Sequence, residues 1–154
     1  MCCIERGTGW DVISRDGDQH ADVATPVFSH DGTFVLYASG TRDTRMAGLN
    51  PGGSVGLVDG DLLYVQFSSR LGGTASSVPG ATGSRWNEYA PSLSPDDRFV
   101  AYARVPNGES SQSNIHAEIA VVPLAGGAPA RLQANEAPTC LGSVSSGVGN
   151  SWPR

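Results

Sequence analysis

Short apolar stretches alternate with clusters of glycine, proline, serine, asparagine and aspartate along most of the chain. Stretches of this length, bounded by turn-forming residues, are typical of β-strands. Apolar positions do not recur at the three- and four-residue spacing that marks an amphipathic helix. The pattern therefore predicts an all-β protein.

One order of strands and turns occurs twice along the sequence. The first copy begins at Pro26 and the second at Pro91, 65 residues later, and Pro153 follows after another 62 residues. A near-constant period indicates stacked copies of one supersecondary unit. The residues that define the repeat are Pro26, Ser29, Asp31, Gly32 and Tyr37 in the first copy, Pro91, Ser94, Pro95, Asp96 and Tyr102 in the second, and Trp152 and Pro153 at the beginning of a third.

Each copy predicts four strands. They are expected near 27–29, 34–39, 61–67 and 75–78 in the first copy, and near 92–94, 99–104, 118–124 and 130–132 in the second. The second strand of each copy is apolar on both sides, as expected for a strand buried between two sheets. Four short antiparallel strands per unit are typical of a β-propeller blade.

Polar loops are expected between the second and third strands, at 40–60 in the first copy and 105–117 in the second. Functional residues concentrate on loops that a rigid scaffold holds in place. We therefore expect any binding surface on these two loops.

The repeat also divides the chain into parts. Residues 24–89 and 90–151 would each form a blade, while 1–23 would end a preceding blade or form an N-terminal extension. Residues 152–154 would begin a truncated next blade. Because propellers close only with about four to eight blades, we expect a piece of a longer protein, with self-assembly of several copies as the lesser alternative.

Composition excludes some classes of partner. The chain has 154 residues, a net charge of −5 and no lysine. Surfaces that bind nucleic acid are basic, so nucleic-acid binding is not expected. No apolar run reaches the roughly 18 residues of a membrane-spanning helix, so membrane insertion is not expected either. Residues 1–6 lack the apolar segment of a signal peptide.

Candidate catalytic residues are sparse. The segment 52–56 matches the Gly-x-Ser-x-Gly nucleophile pattern, but its flanks predict no strand–turn–helix unit, so a loop is the better interpretation. The histidines lie in or beside predicted turns, where a solvated side chain needs no special role; they are His20, His30 and His116. We predict no catalytic residue and no cofactor.

Metal binding is not expected either. Cys2 and Cys3 are adjacent and lack zinc-site spacing, while Cys140 could pair with another cysteine or remain a free thiol. Paired aspartates at 16 and 18, 59 and 61, and 96 and 97 are explained by turn chemistry before calcium, because the twelve-residue calcium loop is not present. For the three tryptophans, packing between blades is favoured over stacking on a ligand.

Ser29-His30-Asp31-Gly32 and Ser94-Pro95-Asp96-Asp97, each preceded by a proline and followed by an aromatic and aliphatic strand, resemble the WD-like Pro-Asp repeat of TolB-type β-propellers. His30 stands where that repeat usually has proline, and Asp97 where it usually has glycine. The resemblance covers 24–154. It implies an all-β partial β-propeller built from four-stranded antiparallel blades.

The resemblance also implies a function. TolB-type propellers are bacterial, periplasmic or extracellular proteins that bind a protein of the cell envelope without catalysis, so a protein partner is expected and a small ligand could also bind. The propeller domains of prolyl oligopeptidase and dipeptidyl peptidase relatives carry the same repeat. The alternative is therefore the substrate-gating part of a serine hydrolase whose catalytic domain is absent from this chain.

Overall fold

The computed structural model describes residues 13–44, 56–67, 70–83, 85–111 and 114–135. Its strands are β1 (Ser14–Asp16), β2 (Asp22–Phe28), β3 (Phe34–Arg42), β4 (Leu57–Gln66), β5 (Gly72–Thr74), β6 (Ser76–Ser77), β7 (Trp86–Leu93), β8 (Phe99–Pro106), β9 (Glu118–Pro123) and β10 (Ala130–Arg131). A 3₁₀ helix covers Gln133–Asn135. The prediction of an all-β protein is confirmed over these residues.

The longer strands form two four-stranded sheets. The first sheet has the order β2-β3-β4-β6, and the second sheet has the order β7-β8-β9-β10. Neighbouring strands in both sheets are antiparallel. Outside these sheets, β1 pairs with β5 in the parallel direction, a pairing that the sequence pattern did not predict.

Each strand predicted from the repeat overlaps a strand of the structure, but the loop predicted at 40–60 is wrong at both ends. β3 continues to Arg42 and β4 begins at Leu57, across a register shift near Gly40. A Cβ added to Gly40 would lie 2.9 Å from the Cα of Gly60, so two glycines permit this close approach. The unit boundary drawn at 89/90 lies within β7.

A bulge adjoins the proline of the repeat in both sheets. The pairing register shifts between Ala24 and Val27 in β2, and the corresponding shift in β7 brackets Pro91. The residues before the prolines, Thr25 and Ala90, have φ values of +51° and +49°. Proline donates no backbone hydrogen bond and is tolerated at bulges and on edge strands, which is where both prolines lie.

β3 is buried on both faces, as its apolar sequence predicted. On one face, Leu36 and Ala38 belong to a core that also contains Tyr102 of the second sheet. On the other face, Val35 and Tyr37 form a smaller cluster, against which Ile13 and other partly buried residues pack. The first sheet therefore lies between the second sheet and the segment that precedes it.

The contact between the two sheets is centred on β7, which packs against β2, β3 and β4. Asn87 of β7 is fully buried there. Its Oδ1 accepts a hydrogen bond from the Gly60 amide at 2.9 Å, and its Nδ2 donates to the carbonyls of Leu57 and Glu109, both at 2.8 Å. One side chain thus satisfies three backbone groups and joins the sheets.

Replacing Asn87 with alanine should destabilise the protein by about 2–4 kcal/mol, because buried backbone groups would lose their partners. Chemical denaturation followed by circular dichroism measures this change. Gln19→Ala is the matched control, because Gln19 is exposed and its side chain bonds the nearby Gly17 carbonyl. Equal small losses in both variants would contradict a central role for Asn87.

Candidate functional site

The Ser-x-Asp turns of the repeat have the same geometry in both sheets. The Ser29 hydroxyl donates to Asp31 at 2.8 Å, and the Ser94 hydroxyl donates to Asp96 at 2.6 Å. Hydrogen bonds from Thr33 in the first turn and Ser94 in the second lower the pKa of the two carboxyls. The two aspartates thus hold their own turns.

His30 and Asp97, the two residues that differ from the repeat that the sequence resembles, contact each other. Asp97 has a φ of +54°, at the position where Gly32 of the first copy has +72°, a conformation that aspartate tolerates better than most residues. The Asp97 carboxylate accepts the backbone N–H of His30 at 2.8 Å, and its other oxygen lies 2.7 Å from His30 Nδ1. His30 and Asp97 therefore join the turns of the two sheets.

Two further repeat residues, Tyr37 and Tyr102, are buried, and the hydroxyl of each donates a hydrogen bond to a residue outside its own sheet. The Tyr37 hydroxyl donates to Asp18 at 3.2 Å, and the Tyr102 hydroxyl donates to the Gly80 carbonyl at 3.3 Å. Pro95 is exposed in its turn. Trp152 and Pro153 lie outside the described residues.

A groove opens beside the joined turns. Its volume is about 580 Å³, and its walls come from both sheets: Tyr64, Asp97, Arg98, Phe99, Pro123, Leu124 and Ala125. The Arg98 guanidinium lies 6.0 Å from the ring centroid of Phe99. The Asp97 carboxylate is bonded to His30. Arg98 supplies a positive charge on the same wall, close to the Asp96 carboxylate. The groove therefore combines apolar walls with the Arg98 cation and the Asp97 carboxylate.

A row of charged side chains crosses the opposite end of the second sheet. Glu88, Arg104 and Glu118 lie in register on β7, β8 and β9. Arg104 binds Glu118 at 2.6 Å, and its guanidinium stacks 4.2 Å from the ring centroid of Trp86. Arg104, a cation of the same sheet, therefore holds the Trp86 ring in place. The two roles considered for the tryptophans from the sequence, packing between blades and stacking on a ligand, did not include this contact.

Glu88 is the most perturbed acid of this row. It is buried, and its Oε2 has no hydrogen-bond partner. Burial, with a smaller contribution from the negative charge of Asp61 on the first sheet, raises the pKa of Glu88 to about 8, while Arg104 opposes the shift. The carboxyl is therefore mostly neutral at pH 7, at the contact between the sheets. Nothing in its sequence context distinguished Glu88 from a surface glutamate.

The described histidines form no shared site. His116 Nδ1 lies 2.9 Å from Glu109, and His20 Nδ1 lies 3.9 Å from Asp18, so each is near a different acid. In the part of the chain that the structure describes, no group of three or more histidine, cysteine or acidic residues is arranged to hold a metal ion. The three cysteines, Trp10 and residues 52–55 of the Gly-x-Ser-x-Gly match lie outside that part.

The sequence predicted a binding surface on the loop at 105–117. In the structure, Ser111 of this loop contacts the first sheet. The Ser111 amide donates to the Leu57 carbonyl at 3.0 Å, and the Ser111 hydroxyl accepts the Leu57 amide at 2.9 Å. This portion of the loop therefore contributes to the contact between the sheets. The groove, which sequence reasoning missed, is formed where residues far apart in sequence meet.

No family model matches the sequence, and no curated protein is significantly similar to it. Among the described residues, no helix has the length and apolar character needed to cross a membrane.

Stability should fall as the pH rises from about 4.5 to about 8. The folded protein retains the Glu88 proton up to a pKa of about 8, whereas the unfolded chain releases it near the ordinary value of 4.5. This contribution is fully present below the unfolded pKa and is lost as the pH rises through the folded pKa. At ~1.4 kcal/mol per pKa unit, the loss is a few kcal/mol.

Denaturation at several pH values measures this effect. In Glu88→Gln the decrease should be absent, because glutamine stays neutral throughout the range. Asp96→Asn is the control, because the hydrogen bond from Ser94 lowers the pKa of Asp96 and this carboxyl stays ionised throughout the range. A pH dependence unchanged in Glu88→Gln would show that other groups cause it.

The contact between His30 and Asp97 should be measurable by a double-mutant cycle of His30→Ala and Asp97→Gly. Glycine relieves the positive φ of Asp97 but removes the carboxylate. We expect a coupling energy of about 0.3–1 kcal/mol, since the His30 side chain is more than half exposed. Strictly additive changes in the free energy of unfolding would mean that the ring contact contributes nothing.

Proposed function

We propose that the chain forms two adjoining blades of a TolB-like β-propeller and acts as a non-catalytic scaffold that binds another protein. By the same resemblance, its place is the periplasm or the outside of the cell. The observation that carries the proposal is that two four-stranded units repeat one unusual stereochemistry and pack on one another through β7.

The stereochemistry recurs in detail. Each unit has a residue of positive φ before the repeat proline and a Ser-x-Asp turn before its second strand. The way each unit meets the segment before it also recurs. A Cβ on Gly72 would collide with the Ser14 carbonyl, and one on Gly126 would crowd Pro79, 65 residues after Ser14. Recurrent stacking of this kind supports the propeller interpretation.

The groove supports the binding role. It lies where the two units meet, and its walls are built by the turns and strand ends of a rigid scaffold, the arrangement in which binding sites commonly occur. Tyr64, Phe99 and Pro123 offer apolar surface, and Arg98 offers a cation at the rim. This chemistry suits an extended peptide segment that carries an acidic residue beside apolar or aromatic ones.

The hydrolase alternative uses the same scaffold, since its catalytic serine would lie on a separate domain. No observation among the described residues favours it over the binding module, and it stays a prediction.

Selection of peptides from a displayed random library on the purified chain tests the proposed binding role. We expect enrichment of peptides that combine acidic and apolar residues. Arg98→Glu should weaken their binding by about tenfold or more, equivalent to ~1.4 kcal/mol. Arg42→Glu makes the same charge change at the far end of β3 and should leave the affinity within about twofold.

Two results would contradict this proposal. One is a library that yields no enriched peptide. The other is an equal loss of affinity in Arg98→Glu and Arg42→Glu, which would indicate a general effect of charge and no specific role for the groove.

A further inference from the structure

Large apolar side chains are exposed on β2, the first strand of the first sheet. Val23 and Phe28 are 50% and 54% exposed. The repeat places them at the positions of Glu88 and Leu93 on β7, which are 3% and 8% exposed because β7 packs on the first sheet. β2 therefore presents, uncovered, the surface that β7 uses for the contact between the sheets. We call the exposed side of β2 with Val23 and Phe28 the head surface; Ala24 and Val27 of the same strand pack on the internal core.

A second set of apolar side chains is exposed on the second sheet. Phe99 is 42% exposed, whereas its counterpart Phe34 is 8% exposed. Leu132 is 37% exposed, whereas Val78 is fully buried. We call Phe99, Leu132 and the sheet face around them the tail surface.

The pairing of Val78 with Leu132 follows from hydrogen bonds. The Val78 amide donates to the Leu62 carbonyl, and the Leu132 amide donates to the carbonyl of Ile119, which occupies the Leu62 position of the second unit. In the first unit, the residues equivalent to Phe99 and Leu132 are Phe34 and Val78, and both belong to the core between the two sheets. The tail surface of the second unit therefore corresponds to a surface that is covered in the first unit.

We propose that the head surface of one copy of this chain binds the tail surface of a second copy. In this contact, β2 packs on the second sheet of its neighbour as β7 packs on the first sheet within each chain. The proposal rests on the stacking of units described under Proposed function, and it names the chain itself as a partner.

Two features favour a second copy as the occupant. The chain carries both halves of the contact, and the new contact continues an interface that the chain already forms between its own sheets. Val23 also takes the place of Glu88, so the contact between copies would bury an aliphatic side chain where the internal contact buries a carboxyl. Because head and tail differ, the contact is heterologous and leads to rings or to filaments.

Sedimentation velocity at about 1–100 µM, the range in which a contact of moderate affinity would form, tests the proposal. The wild-type chain should form species larger than a monomer, and their share should rise with concentration. Val23→Asp places a charge on the head surface, and Leu132→Asp places one on the tail surface. Because a buried, unpaired charge is unfavourable, each variant alone should stay monomeric. An equimolar mixture of the two should give dimers and nothing larger, since one intact head meets one intact tail.

Ile115→Asp is the matched control, because Ile115 is exposed but lies in the loop before β9, outside both surfaces. It should assemble as the wild type does. Circular dichroism of each variant checks that the fold is retained.

The proposal fails if the wild type stays monomeric at every concentration, which would leave these surfaces to another partner. It also fails if Val23→Asp alone still forms dimers, because that result would require a tail-to-tail contact. Neither surface variant changes Arg98, so a monomeric chain that still binds peptides would overturn this inference and leave the proposed function standing.

Discussion

The packing of β7 against the first sheet is the contact on which the rest of the arrangement depends. It brings a polar strand segment into an apolar interface, which is favourable only if each buried polar group finds a partner. Asn87 meets this condition by binding one backbone N–H and two carbonyls. Because hydrogen bonds are directional, this amide also fixes the register of one sheet on the other. The groove and the joined turns have their positions because this register is fixed.

Local chemistry explains why the repeat could be recognised in the sequence. A serine, an aspartate and a tight turn leave a signature because their hydrogen bonds form within a few residues. The strands beside them are apolar on both faces, so they too could be predicted. The proline of the repeat was visible for the same reason, although its physical role as part of an edge-strand bulge became clear only from the pairing registers of β2 and β7.

The candidate site could not be predicted in the same way. The groove combines Tyr64 with Arg98 and Phe99, and the charged row brings Glu88 towards Asp61, so both depend on how distant segments meet. The link between His30 and Asp97 is the instructive case. Each residue was visible as a departure from the usual repeat, but only the stacking of the units shows that one departure binds the other.

The internal contact and the exposed surfaces differ in specificity. Inside the chain, Asn87 binds three backbone groups in the interface, and a wrong register would leave these buried polar groups without partners. On β2, Asp22 and Val23 take the positions of Asn87 and Glu88. The Asp22 carboxylate already accepts the Arg42 amide of its own sheet. A contact made by β2 would therefore be stabilised mainly by burial of apolar area. Because this effect is not directional, it does not select one register of the two sheets over another. It follows that the chain should prefer its own second sheet over any copy, and that contacts between copies should be the weaker and more reversible ones.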